Sequence, residues 1–170
     1  GWCVICSFLS ALVVKNGDVL THPMLDGHSD LVTYYKLPDT SVSIRHFVKV
    51  ELTPGDSPGD WIKSETWGFR VDEETLPQWW GDIASAAEAT LRARAQAMVL
   101  ATGERRLVVD GCWIVAGDAI VRDVRAGRIV SVSGSAQVHN VRDSAQIYGV
   151  WGSAQIYGVW GSAQIYGVWG

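Results

Sequence analysis

Cysteine and histidine are the side chains from which this sequence could build chemistry, and most of them fall near its start. Cys3 and Cys6 have the C-x-x-C spacing of zinc knuckles and redox turns. Zinc needs both thiolates aimed at one point, which a tight turn provides. Here the surrounding run, WCVICSFLSALVV (2–14), is apolar and β-branched around the pair, so it reads as a buried strand. Residues three apart on a strand face opposite sides. No second C-x-x-C follows. The expectation is two small buried side chains, no metal and no cofactor. Cys112 makes the cysteine count odd, which does not build a disulfide framework and suits a reducing, cytoplasmic setting.

A second group lies in THPMLDGHSD, where His22, Asp26, His28 and Asp30 come close together, with His46 further on. Imidazoles beside carboxylates can act as general acid and base or hold a metal. The plainer alternative is a polar loop in which Asp30 caps a helix. A site in the N-terminal half would be built from His22, His28 and Asp30. The sequence contains no G-x-x-x-x-G-K-[ST] and no G-x-G-x-x-G.

The segment CVICSFLSALVVKNGDVL (3–20) places a cysteine near the start, then a strand, a tight hairpin and a second strand. That outline resembles the N-terminal-nucleophile hydrolases. The resemblance implies a hydrolase with Cys3 or Cys6 as nucleophile. The chain departs from the family in that neither cysteine is its first residue, so neither offers its own α-amine as base. The stretch before the C-terminal repeats is also short for a four-layer αββα fold.

The elements that would position these groups can be read from pattern and punctuation. Asn16-Gly17 between apolar runs predicts a type I′ hairpin. Ser29 or Asp30 is placed to cap a short helix that Pro38 closes. SVSIRHFVKVELTP (41–54) alternates as a strand, while WIKSETWGFRVDEE (61–74) is ambiguous and reads as extended. A helix is expected over 75–101, with Thr75 and Gln78 as capping box, Pro77 in the first turn and Gly103 as stop. Its inner face would carry Ile83, Ala87, Leu91, Ala95 and Met98.

From Asp118 the period changes. DAIVRDVRA, GRIVSVSG and SAQVHNVRD lead into SAQIYGVWG, written three times without a change from Ser144 to Gly170. Such repetition predicts a solenoid. Ala145 and Ile147, two apart, point to one side of a strand, and a bend near Tyr148–Gly149 returns Val150 to the same interior. Gly152-Ser153 makes the next corner. Two units would complete one coil with two equivalent sides. Trp151 and Trp169 then share one face, about 4.8 Å apart, and Trp160 lies opposite; Tyr148 and Tyr166 pair likewise, with Tyr157 opposite. The period resembles the nonapeptide β-roll of the RTX repeat family, without its Gly-Gly-x-Gly-x-Asp signature, so calcium in the turns is not implied. Similar Ser-Ala-Gln repeats behind a small N-terminal domain resemble those of uncharacterised bacterial and phage proteins.

The chain has 170 residues, nearly half of them apolar, and a net charge of −4, which argues for a packed structure and against general electrostatic binding to nucleic acid. Arg122, Arg125, Arg128 and Arg142 interleave with Asp118, Asp123 and Asp143 and read as a mixed-charge solvated face. The opening apolar run is too short to span a bilayer and lacks the flanks of a signal peptide. The first residue is not Met, which suggests processing, engineering or a fragment.

These readings add up to an α+β N-terminal domain (1–110) capping a parallel β-solenoid (111–170) of nine-residue repeats, two per coil, with the helix and Trp113 covering the first coil. The expected function is a non-enzymatic scaffold or interaction protein. Tyr148, Trp151, Tyr157, Trp160, Tyr166 and Trp169 would be its contact surface, for a protein or a carbohydrate. A coil that stops at Gly170 presents an unpaired edge, so homo-oligomerisation through that end is also expected. A hydrolase in the N-terminal domain is the alternative.

Overall fold

A computed structural model describes residues 9–38 and 45–170, so Cys3 and Cys6 lie outside the described residues. In chain order the helices are α1 (His28–Tyr35), α2 (Pro58–Trp61) and α3 (Trp80–Ala97). The chain divides into two compact units: the residues up to Gly55 with Lys63–Gln96, and Asp56–Ile62 with Ala97–Gly170.

The first unit is built on an antiparallel sheet of β1 (Leu9–Val14), β2 (Val19–Leu20), β3 (Phe47–Thr53) and β4 (Gly68–Val71), in the order β2-β1-β3-β4. Leu12 pairs with Lys49 and Val14 with Phe47, so these side chains share a face. Leu12 and Phe47 are buried there with Leu31 and Val32 of α1. Ala11, Val13, Val48, Val50 and Leu52 are buried on the other face. Ala87, Leu91 and Ala95 form the buried stripe of α3, as their spacing predicts, together with Trp80.

Three local expectations are corrected. In the β1–β2 hairpin only Gly17 has positive φ, at 95°. The Gly17 amide donates to Val14 O and the Val14 amide to Asp18 O. The loop is therefore a turn closed by a left-handed glycine, not type I′. Asn16 uses its side-chain oxygen to accept from the Asp18 amide at 2.9 Å. Helix α1 is capped by Gly27, not Ser29 or Asp30; Asp30 sits in the first turn, where a carboxylate favours the positive end of the helix dipole. Helix α3 spans 80–97, not 75–101. Pro77 lies in the preceding turn, its carbonyl accepting from the Trp80 amide at 3.1 Å, so Thr75 and Gln78 cap nothing.

The shorter α3 also moves the boundary of the second unit. Val99 and Leu100 are not helical; they pair in parallel with Ile114 and Val115. A parallel β-solenoid of about four turns occupies residues 99–169, starting before the expected 111. Its strands are β5 (Val99–Leu100), β6 (Glu104–Arg105), β7 (Cys112–Val115), β8 (Ile120–Val121), β9 (Arg128–Val132), β10 (Gln137–Val138), β11 (Gln146–Ile147), β12 (Val150–Trp151), β13 (Gln155–Ile156), β14 (Gln164–Ile165) and β15 (Val168–Trp169). One side runs β14-β11-β9-β12-β15, with β7 joining β5 to β9; the other runs β13-β10-β8-β6. Single bridges link Val108, Val124, Val141 and Val159 in succession, at steps of 16, 17 and 18 residues. The turns lengthen along the chain.

Inside the solenoid Val121, Val124, Ile129, Val132, Ala136, Val138, Val141, Ala145 and Ile147 are sealed from solvent. Each buried Val or Ile contributes roughly 1.5–3 kcal/mol by leaving water. Corners are made by left-handed residues stacked turn on turn: Gly117, Gly134 and Gly152 at φ 59°, 66° and 61°, then Asp143 and Gly161 at 58° and 60°. A serine hydroxyl laces three of these corners to the ones below. Ser135 donates to Gly117 O at 3.0 Å, Ser153 to Gly134 O at 3.2 Å and Ser162 to Asp143 O at 2.7 Å. Among the described residues no helix is long and apolar enough to cross a membrane.

Candidate functional site

The outward side chains of the solenoid are positioned by the same stacking that builds its core. Gln146 pairs with Gln164 and Trp151 with Trp169 across the parallel ladder, so like residues stand one above another. Tyr148 and Tyr166 stack at 4.9 Å with ring planes 13° apart. Trp151 and Trp169 stack at 4.2 Å and 16°. The indole spacing is less than the usual strand separation of about 4.8 Å, so the rings lean toward each other. Trp61, at the end of α2, meets Trp151 edge-on at 5.6 Å. Tyr157 and Trp160 follow from the other sheet, where Tyr157 lies tilted by 35° against His139 at 4.5 Å.

Each tyrosine hydroxyl donates to the glutamine two residues earlier: Tyr148 to Gln146, Tyr157 to Gln155, Tyr166 to Gln164. In the copy 135–143, His139 stands in the tyrosine's place and its Nε2 lies 3.1 Å from Gln137 Oε1. Every tryptophan of the repeats lies over a glycine two residues before it. A Cβ on Gly149 would sit 2.7 Å from Trp151 Nε1, and one on Gly158 would sit 2.9 Å from Trp160 Nε1. Neither glycine has positive φ, so what requires glycine there is the indole. Gly111 and Trp113 repeat the arrangement. Where tryptophan is absent the glycine is absent too: Asn140 precedes Arg142, and Asp123 precedes Arg125.

That switch makes a concavity on this side. The bridged valines 124, 141 and 159 place Arg125, Arg142 and Trp160 in one column and Asp123, Asn140 and Gly158 in another. Asp123, Asn140, Arg142, Asp143 and Trp160 line an open concavity of about 440 Å³. Arg142 grips Asp123 with two hydrogen bonds, 3.1 and 2.8 Å, and Arg125 adds a third at 3.1 Å. The hydrogen bond from Arg142 holds the Asp123 carboxyl below the usual aspartate range. Asn140 Nδ2 donates to Arg122 O at 3.3 Å, which turns its amide oxygen away from that bond. Trp160 is 60% exposed, and no ring stacks on it among the described residues.

The histidine–carboxylate group is not brought together in this way. His22 accepts the Met24 amide on Nδ1 at 3.1 Å and meets Tyr34 edge-on. His28 packs on Phe47, and Asp30 folds back over Gly27. Among the described residues no three His, Cys, Asp or Glu side chains are placed to hold a metal. Cys112 is buried; desolvation raises its thiol pKa and keeps it protonated, although Arg128 pulls the other way.

Sequence reasoning missed an ionic cluster on the β3–β4 face. Lys49 and Glu51, both nearly buried, pair at 2.9 Å; Lys49 reaches Asp72 at 3.1 Å, and Arg70 reaches Glu51 at 2.8 Å. Burial opposes the Lys49 charge, but bonds to Glu51 and Asp72 outweigh it and raise its pKa. The signal was available in FVKVELT, whose two charges alternate with apolar residues. All partners are satisfied within the cluster, which suits a structural role.

Comparison with protein-family models, curated proteins and solved structures finds no match for the chain.

Proposed function

We propose that the protein is a non-enzymatic interaction module whose solenoid displays aromatic side chains to a partner. The reading takes each turn as two nine-residue units, so that Tyr and Trp recur on both sides, and gives the N-terminal α+β unit the capping role that a solenoid end requires. The observation that carries it is the exposure of Tyr157, Trp160 and Tyr166 on a solenoid whose preceding turns have a sealed interior. Large aromatics on a rigid scaffold offer contact area at little entropic cost, since few rotatable bonds must be fixed.

The test compares the chain with a Tyr157→Ser, Trp160→Ser, Tyr166→Ser variant, both immobilised, against glycan and peptide arrays. The reading expects ligands held by the first and lost by the second. Equal retention by both would overturn it. Self-association is its second form, favoured by Val159 and by Val168, which is 72% exposed. It expects sedimentation that depends on concentration for this chain and not for one lacking 153–170.

A further inference from the structure

We infer that the concavity between Arg142 and Trp160 is a subsite for a neutral sugar ring. This deepens the interaction reading and rests on it. Three observations select the ligand. The first is that Trp160 is the one repeat tryptophan whose ring no other described ring covers. Trp151 and Trp169 use their faces on each other, whereas the column beneath Trp160 holds arginines. A pyranose has an apolar face of axial C–H bonds, which rests on the electron-rich face of an indole.

The second observation is the rim. Asp123, Asn140, Arg142 and Asp143 present planar carboxylate, amide and guanidinium groups beside that ring. Sugar hydroxyls both donate and accept, and neighbouring pairs of them match such planar groups bidentately. Asp123 is held by Arg142 and Arg125 together, so the rim is set before a ligand arrives. A fixed rim lowers the ordering cost of binding.

The third observation is charge. Asp123 is already neutralised by two arginines, and the Arg142 pKa is raised first by its hydrogen bond to Asp123, with the charges of Asp123 and Asp143 adding to it against burial. A strongly anionic ligand would meet both aspartates, and a strongly cationic one would compete with Arg142 and Arg125. A neutral polyol meets neither penalty. The volume of about 440 Å³ lies toward the small end of ligand sites, roughly 300–1,000 Å³. It suits one or two sugar rings of a longer chain.

Saturation-transfer NMR with neutral hexasaccharides as probes (maltohexaose, cellohexaose, xylohexaose, mannohexaose and chitohexaose) tests the assignment on the whole chain. At least one probe should receive saturation on its ring C–H protons. Trp160→Ala should weaken that probe about tenfold, and Trp160→Tyr much less. Asn140→Ala, which leaves the indole in place, should weaken it as well. Trp169→Ala should not. No probe responding, or one that binds Trp160→Ala as tightly as the parent, would overturn the sugar site. A peptide probe lost with Trp160 would overturn the sugar assignment and leave the interaction reading standing. Ligands retained by the triple serine variant would overturn both.

Discussion

Trp151 lies face to face with Trp169 at 4.2 Å, and the edge of Trp61 closes on the same ring at 5.6 Å. The stacked pair is fixed by the parallel register of β12 and β15. Stacked aromatic pairs contribute about 0.5–1.5 kcal/mol beyond their burial. A double-mutant cycle of Trp151→Ala and Trp169→Ala should return a coupling energy in that range. Pairing Trp151→Ala with Trp160→Ala should return about zero, because those rings stand on different sheets. Exciton-type circular dichroism of the coupled indoles should vanish with Trp151→Ala, fall to the contribution of the Trp61–Trp151 pair with Trp169→Ala and survive Trp160→Ala.

The glycines of the repeat have two separable duties, and alanine should tell them apart. Gly152 has φ of 61° and open space where a Cβ would go, so Gly152→Ala should cost about 1–2 kcal/mol of backbone strain and leave the aromatic signal intact. Gly149 has an ordinary backbone, but its Cβ would fall 2.7 Å from Trp151 Nε1. Gly149→Ala should therefore displace the indole and erase the exciton signal. Equal effects of the two substitutions on that signal would refute the division. Gly161→Asn should be mild, since Asp143 already holds the equivalent corner at φ 58°.

How far the sequence revealed this arrangement depends on the turn. In the identical copies the spacing alone aims Ala145, Ile147 and Val150 inward and sets Tyr148 over Tyr166. The first turn was hidden because it is shorter and lacks the Ser-Ala-Gln start. Val99 to Ile114 is a step of 15 residues, against 18 from Gln146 to Gln164. Its strand residues Val99 and Leu100 continue a helical apolar stripe, so they read as helix. Outward positions are constrained as well: serine laces corners, glutamine receives the tyrosine hydroxyl and glycine makes room for tryptophan. Folding accounts for more of the repeat's identity than its inward residues suggest. The concavity was legible only as a change of pattern, Asp/Asn-x-Arg giving way to Gly-x-Trp, whose meaning needs the register between turns.

Core position should grade the cost of truncating like residues. Ile147 is fully buried between neighbouring turns, whereas Ile165 in the last copy is only partly buried. Ile147→Ala should cost about 2–5 kcal/mol, and Ile165→Ala distinctly less, because a partly solvated site leaves no sealed cavity. Denaturant midpoints measured on the two variants check the order. A larger loss at Ile165 would contradict the placement of the core.

Asp72 gives the first unit a predictable acid response. The hydrogen bond from Lys49 holds its carboxyl below the ordinary value of 3.8, with the charges of Lys49 and Arg70 acting in the same direction and burial opposing them. Between the folded and unfolded values the unfolded chain binds the extra proton, so stability rises with pH across that interval. The contribution is fully present above 3.8 and is lost as pH falls through the folded value. Asp72→Asn removes the titrating group, so its stability should fall less steeply with acidification below pH 3.8. At neutral pH it should be less stable than the parent, because Lys49 keeps its charge with one partner fewer. Lys49 has the opposite sign: its raised pKa means that its contribution holds below 10.5 and is lost only as pH rises above that value. Urea midpoints taken across the acid range for parent and variant measure the difference. Parallel curves would show that the Lys49–Asp72 pair does not form in solution.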